Sequence, residues 1–180
     1  KSDLIVVGTT AAINNKAKGQ QYFIEAMSKL KKYNIRYELV GSGDSNYLRS
    51  CALKNGVADR VVFKGQMKHQ QVLEWIDSLD IYIQPSMQEG LPRALIEAMS
   101  RACPAIGSST GGIPELLPSD AIFKRGNVDS LIKTFKTIIE SDLDAKAKGN
   151  FNKAKEYELE KLNSRRNVVY EQFKNYIINE

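Results

Sequence analysis

Histidine is nearly absent from this sequence: His69 is the only one in 180 residues. A histidine-dependent triad or a histidine-rich metal site cannot be built from one ring. His69 falls at a helix start, where it faces solvent or caps. Cysteine is almost as scarce. Cys51 and Cys103 are too few for a disulfide framework, and Cys103 sits in an apolar context, so a reducing cytosol is expected. No run approaches the roughly 20 apolar residues of a membrane-spanning helix. Lys1-Ser2-Asp3 leads directly into an apolar strand, so a signal peptide is not expected. The chain does not begin with Met, so a piece of a longer protein is expected. No aromatic-studded basic strand or recognition helix stands out, and nucleic acid is not an expected partner.

Other motifs are missing a part. Residues 8–19 contain lysine and glycine but no Gly-Lys-Ser/Thr, so they form no P-loop. Gly41-Ser42-Gly43 starts like a dinucleotide fingerprint, but position 46 is Asn46 and the segment follows the second strand. Asp142-Leu143-Asp144 has the spacing of an acidic metal motif without glycine-rich support, and reads as surface.

What is present describes a folded domain with 42% hydrophobic and 26% charged residues. Net charge is +5, from 26 basic and 21 acidic residues, with much of the excess in 16–32 and 146–166. A solvated helix face explains such runs; a weak attraction to phosphates or an anionic membrane surface is the sharper reading. Apolar runs at 4–8, 37–40, 61–63, 81–84, 105–107 and 121–123 predict strands. Helices are expected at 20–33, 46–54, 70–79, from about 91, at 114–117 and at 129–140. A charged helical extension follows at 143–178, interrupted near Gly149-Asn150. Trp75 reads as core or interface.

Strands alternate with helices, and the strands are continuously apolar. Both facts predict an α/β fold with a doubly wound, Rossmann-like, six-stranded parallel sheet and added C-terminal helices, as one domain over 1–180. Ligands of such sheets bind beyond the carboxyl ends of the strands. Glycine and small polar residues gather there, at 9–18, 41–44, 65–68, 85–90 and 108–112.

The stretch from Gln84 to Met99 concentrates the chemistry. Gly90 lets the backbone turn and approach a ligand. Pro92 suits a first helical position. Free amides at that helix end, with the helix dipole, favour a phosphate. Glu89 and Glu97 stand eight positions apart, with Glu97 two turns down the helix from Leu91. Two hydroxyl-binding carboxylates separated by a phosphate-binding helix end describe a sugar-nucleotide site, one carboxylate for the sugar and one for the ribose. The plain alternative is an Arg93–Glu97 surface pair of about 0.3–0.5 kcal/mol. Leu91, Leu95, Met99 and Ala102 are expected in the core. Thr110-Gly111-Gly112, at a strand's carboxyl end, is read as a ligand contact or only a turn.

The segment Pro85-Ser86-(x)2-Glu89-Gly90-Leu91-Pro92-(x)4-Glu97-Ala98-Met99 resembles the E-x7-E signature of family-4-type GT-B glycosyltransferases. The likeness continues through Pro104-Ala105-Ile106-Gly107 and Thr110-Gly111-Gly112-Ile113-Pro114-Glu115. Upstream, Val7-Gly8, Lys18-Gly19, Leu39-Val40-Gly41-Ser42-Gly43, Val62-Phe63-Lys64-Gly65 and Asp80-Ile81 keep the family's order, so it spans residues 4–139. The resemblance implies the second, donor-binding lobe of a two-lobed enzyme, with the N-terminal acceptor lobe absent. It implies transfer of a sugar from a nucleotide-sugar with retention, no metal and no other cofactor. Glu89 would be the catalytic-site carboxylate at the donor sugar, and Glu97 would bind ribose hydroxyls. Lys18, with amides near Leu91 and Arg93, would hold the diphosphate. The base edge would meet backbone near Gly65-Gln66, and Gly41, Gly90, Thr110 and Gly111 would complete the donor site.

The implied acceptor is a saccharide or lipid-linked saccharide bound through the other lobe. The implied setting is surface polysaccharide synthesis in the cytoplasm, at the inner face of the membrane. Two departures stand out: Thr9 where the family often has arginine, with Lys16 as a substitute cation, and Pro92 where it often has glycine. A sugar-nucleotide-binding module without catalysis and a sugar-nucleotide epimerase lobe are the alternatives. The C-terminal helices are expected to pack across the other lobe, leaving Tyr170, Phe173 and Ile177 exposed here.

Overall fold

The computed structural model describes residues 4–178. Six strands form one sheet: β1 (Leu4–Thr10), β2 (Asn34–Val40), β3 (Val61–Gly65), β4 (Ile81–Gln84), β5 (Ala105–Ser108) and β6 (Ile122–Phe123), in the order β3-β2-β1-β4-β5-β6. Every neighbouring pair is parallel. The alternation of strands with helices is therefore realised as the predicted doubly wound sheet. The order in which strands are added reverses between β1 and β4, and that switch point positions the site.

The helices are α1 (Gln20–Lys29), α2 (Asn46–Lys54), α3 (His69–Ile76), α4 (Arg93–Ser100), α5 (Ile113–Leu116), α6 (Val128–Ile139), α7 (Leu143–Ala154) and α8 (Leu159–Ile178). α1 packs on α2 and α6, while α4 packs on α3 and α7. The α1 side is closed by aromatic packing: Phe23 meets Tyr37 edge-on at 4.8 Å and Phe135 at 5.6 Å. On the α3 side, a Cβ on Gly8 would lie 2.4 Å from Leu79, so a side chain there would hold that helix off the sheet. Gly8 is thus a mid-strand packing position, and β1 continues two residues past the turn that the sequence suggested. Trp75 is core as expected, and its indole N–H donates to the buried Glu38 at 2.7 Å.

Three expectations about helices are corrected. The extension does not break at Gly149-Asn150: α7 runs through it, because Asn150 is buried and its amide donates to the Cys103 carbonyl at 2.8 Å. The interruption comes at the turn Lys155–Tyr157. α4 starts at Arg93, so Pro92 is the extended cap residue (φ −77°, ψ 101°) and not the first helical one. That later start leaves Leu91 45% exposed ahead of the helix, and the helix ends before Ala102, which is also exposed. Only Leu95 and Met99 of the expected apolar face are core.

The chief packing partner of α8 is the turn before it. Val168, Val169, Tyr170, Phe173 and Ile177 are more than half exposed along it. Among the described residues, no helix is long and apolar enough to cross a membrane.

Candidate functional site

The loops after β1 and β4 meet at the switch point and enclose a cleft of about 410 Å³. Two bonds clasp them together. The Met87 amide donates to the Ala17 carbonyl at 2.7 Å, and the Lys18 ammonium donates to Glu89 Oε2 at 3.1 Å. Lys18 is aimed there by a short helical turn, Lys16–Lys18, which is capped by the Asn15 side chain and ended by Gly19 in the left-handed conformation. Thr10, Lys18, Gln84, Glu89, Arg93 and Glu97 all line the cleft. A larger groove of about 670 Å³ lies beside β6 and α6. Its only carboxylate, Asp120, is already paired with Lys146, and no comparable acid–base cluster converges there.

Glu89 is the more constrained of the two carboxylates in the cleft. Its Oε2 accepts from Lys18, from the Ser86 hydroxyl at 2.9 Å and from the Gln84 amide at 3.3 Å. Its side chain is 14% exposed. Among the described residues no group bonds its other oxygen, and Glu89 lines the cleft. Beside it, the Pro92 carbonyl accepts from the amides of Leu95 and Ile96. Among the described residues no acceptor meets the amides of Arg93 and Ala94, and both residues line the cleft, so the positive end of α4 opens into it. Pro92, as the cap residue, has no N–H to add to those of Arg93 and Ala94.

Arg93 is exposed, and no carboxylate among the described residues pairs with it. The Arg93–Glu97 pair weighed from sequence is not formed. Glu97 sits one turn into α4, not two, and its carboxylate lies 3.4 Å from His69 Nε2 at the start of α3. His69 therefore reaches the rim of the cleft, which its place at a helix start did not reveal.

Other expected positions are arranged around this cleft without lining it. Gly41 packs where a Cβ would lie 1.9 Å from the Ala11 carbonyl, and its amide donates to Gly65 at 2.9 Å. Gly65 and Gln66 are exposed at the end of β3, with open space over Gly65. Thr110 is buried, and its hydroxyl has no hydrogen-bond partner among the described residues. Gly111 adopts φ +53°, where a Cβ would lie 2.0 Å from the Glu89 carbonyl oxygen, and the Gly112 amide donates to the Gly90 carbonyl at 2.7 Å. The 110–112 turn thus props up the Glu89 loop from below.

Thr9 does not occupy an arginine's place at the site. It is buried in the sheet, donating to the Ile83 carbonyl at 2.8 Å and bonded to the Tyr37 hydroxyl at 2.8 Å. The neighbouring Thr10 faces the cleft. Lys16 does not substitute either, since its ammonium lies 4.4 Å over the Tyr47 ring, on α2. Lys18 and Arg93 are therefore the cations at hand.

Sequence reading missed Tyr82, Gln84 and Ser86, which form the floor beneath Glu89. The signal was available: alternate residues of a strand share a face, and these three recur with period two. The apolar reading of residues 81–84 concealed it.

The family described as glycosyl transferases group 1 matches residues 2–141. Protein CapJ of Staphylococcus aureus is 37% identical over 119 residues, covering 64% of this chain and 30% of that protein. The amylovoran biosynthesis glycosyltransferase AmsK of Erwinia amylovora is 33% identical over 109 residues, covering 56% of this chain and 27% of that one. The structure of Anabaena Alr3699/HepE in complex with UDP superposes with a TM-score of 0.82 at 19% identity, over 96% of this chain and 50% of that chain. The aligned region thus spans under a third of these two relatives and half of the solved chain.

Proposed function

This chain belongs to the group 1 glycosyl transferases, and on that premise we propose that it is the donor-binding lobe of a retaining sugar transferase. The carrying observation is the convergence in one cleft of Glu89, Lys18 and the first amides of α4. A nucleoside diphosphate-sugar presents two anionic phosphates between two hydroxyl-rich ends. The α4 amides, Lys18 and Arg93 suit the phosphates. The other carboxylate oxygen of Glu89 suits the hexosyl end, next to the reacting carbon, where positive charge develops during transfer. Glu97, one turn along, suits the ribose hydroxyls. The open backbone at Gly65-Gln66 suits the edge of the base.

Lys18 neutralises Glu89 across the cleft. When phosphate enters, Lys18 is expected to turn to it, so donor binding exchanges one anion for another. The leaving diphosphate is then met by Lys18, Arg93 and the helix end, and the reading invokes no metal. The acceptor, a saccharide or lipid-linked saccharide, would come through an N-terminal lobe outside this chain. Kinship to AmsK supports a setting in surface polysaccharide synthesis. Nucleotide-sugar chemistry and two free thiols support a cytoplasmic one, at the inner face of the membrane.

Calorimetric titration of the chain against UDP-, GDP- and ADP-sugars tests the proposal. One of them is expected to bind, and Lys18→Gln is expected to weaken it about tenfold or more, as for a lost charge-assisted bond. A folded sample that gives no heat with any of them would overturn the donor reading. In the full-length enzyme, Glu89→Ala should remove most of the turnover; undiminished transfer would refute its role.

A further inference from the structure

Glu89 is the terminus of a directed chain of buried and part-buried hydrogen bonds that starts on another strand. The Thr10 amide donates to the Tyr82 hydroxyl at 3.3 Å. Tyr82 donates to the Gln84 carbonyl oxygen at 3.2 Å. The Gln84 amide spends both hydrogens forward, on the Ser86 hydroxyl at 2.9 Å and on Glu89 Oε2 at 3.3 Å. Ser86 passes its own hydrogen to the same Oε2 at 2.9 Å. Every donor points toward the carboxylate, so each bond polarises the next. The Glu89 carboxylate can only accept, so the Gln84 amide nitrogen faces it and the amide oxygen is left to accept from Tyr82. Tyr82, Gln84 and Ser86 are each at most 3% exposed. Burial also pushes the Tyr82 phenol far above its ordinary range, so it stays a donor.

We infer that Gln84 and Tyr82 are positioning residues for the donor sugar: they fix Oε2 of Glu89 and thereby present the other carboxylate oxygen to it. This rests on the reading of Glu89 as the sugar contact. The role grows once donor is bound. Lys18 is one of three groups holding Oε2, and it is the one the phosphates draw away. The neutral donors from Gln84 and Ser86 then remain to keep the carboxylate from rotating.

The test uses this chain and measures dissociation constants for UDP and UDP-glucose, and for GDP and GDP-mannose. Within each pair, the ratio of the two constants is the sugar's increment to binding. Glu89→Gln defines how much of that increment the carboxylate supplies. Gln84→Met keeps the volume and cannot donate. It is expected to remove most of the same increment, about tenfold for bonds to a charged group, while affinity for the bare diphosphate holds. Tyr82→Phe deletes one hydroxyl and should give a smaller loss of the same kind. Combining Gln84→Met with Glu89→Gln should add little, since both act through one group. If Gln84→Met does not fold, Tyr82→Phe carries the test.

Three results would overturn the inference. An increment that survives Gln84→Met and Tyr82→Phe but not Glu89→Gln removes the positioning role and leaves the donor reading intact. Parallel loss of diphosphate and sugar affinity marks Gln84 as structural only. An increment insensitive to Glu89→Gln, or absent from the unaltered chain, sinks the donor reading and this inference together.

Discussion

Gly111→Ala should damage both the fold and the site, and Gly56→Ala supplies its control. Both glycines hold left-handed backbone, at φ +53° and φ +66°. Alanine in that conformation costs about 1 kcal/mol at either position. They differ in what a Cβ would meet. Nothing lies within 4 Å of it at Gly56, whereas at Gly111 the Glu89 carbonyl oxygen stands 2.0 Å away. That oxygen must retreat by about 1.4 Å to reach ordinary contact, and crowding of this kind costs about 1–3 kcal/mol more. The retreat also pulls on the bond from the Gly112 amide to the Gly90 carbonyl. Urea unfolding is the assay. With a slope of about 2 kcal/mol per molar, Gly56→Ala should lower the midpoint by about 0.5 M and Gly111→Ala by 1 M or more. Only the second should also weaken sugar-nucleotide binding. Equal midpoint shifts, or Gly111→Ala with full affinity, would refute the claim that the 110–112 turn supports the Glu89 loop.

The remaining predictions concern the base end, alkaline pH and the last helix. Gly65→Ala should cost about 1 kcal/mol of stability, like Gly56→Ala, yet lower nucleotide affinity in calorimetry; unchanged affinity would take this turn out of the site. Burial pushes the Cys103 thiol up to about 12, while an unfolded thiol ionises near 8.5. Above that value the unfolded chain holds fewer protons than the folded one, so stability falls as pH rises through roughly 9 to 12. Buried Tyr37 and Tyr82, both held above the usual phenol range by burial, add to the fall at its upper end. Urea midpoints at several alkaline pH values should show the decline, and Cys103→Ala should flatten its first part. Replacing Tyr170 and Phe173 by serine should suppress concentration-dependent self-association in sedimentation; a monomeric unaltered chain at high concentration would dismiss the idea.

The sheet was legible because its signals are local and strong. Leu4-Ile5-Val6-Val7, Tyr37-Glu38-Leu39-Val40 and Ile81-Tyr82-Ile83 are short apolar runs that fit only a buried strand once helices alternate with them. The core of the site was legible for a similar reason, since Glu89, Arg93 and Glu97 are tied to one strand–turn–helix unit. What escaped depends on long-range contacts. Thr9 stands in the sequence where the family often places a cation, but its hydroxyl is held between β2 and β4. Asn150 read as a helix breaker until Cys103, 47 residues away, supplied its partner. His69 joined the cleft only when α3 packed beside α4. Each error assigned to a residue's neighbours in sequence a polar group that belongs to its neighbours in space.

A sheet with all strands parallel separates its two rims. The cleft and its supporting loops occupy the rim at the strands' carboxyl ends, leaving the opposite rim free of that work. There lie Lys31 and Lys32 before β2, Asn55-Gly56 before β3, and Asp77-Ser78 before β4, mostly exposed. For anyone handling the molecule this rim is the handle. A fluorophore, a surface tether or an inserted peptide at Gly56 would leave the cleft facing open solution. The same attachment at Gly41 or Gly111 would jam it.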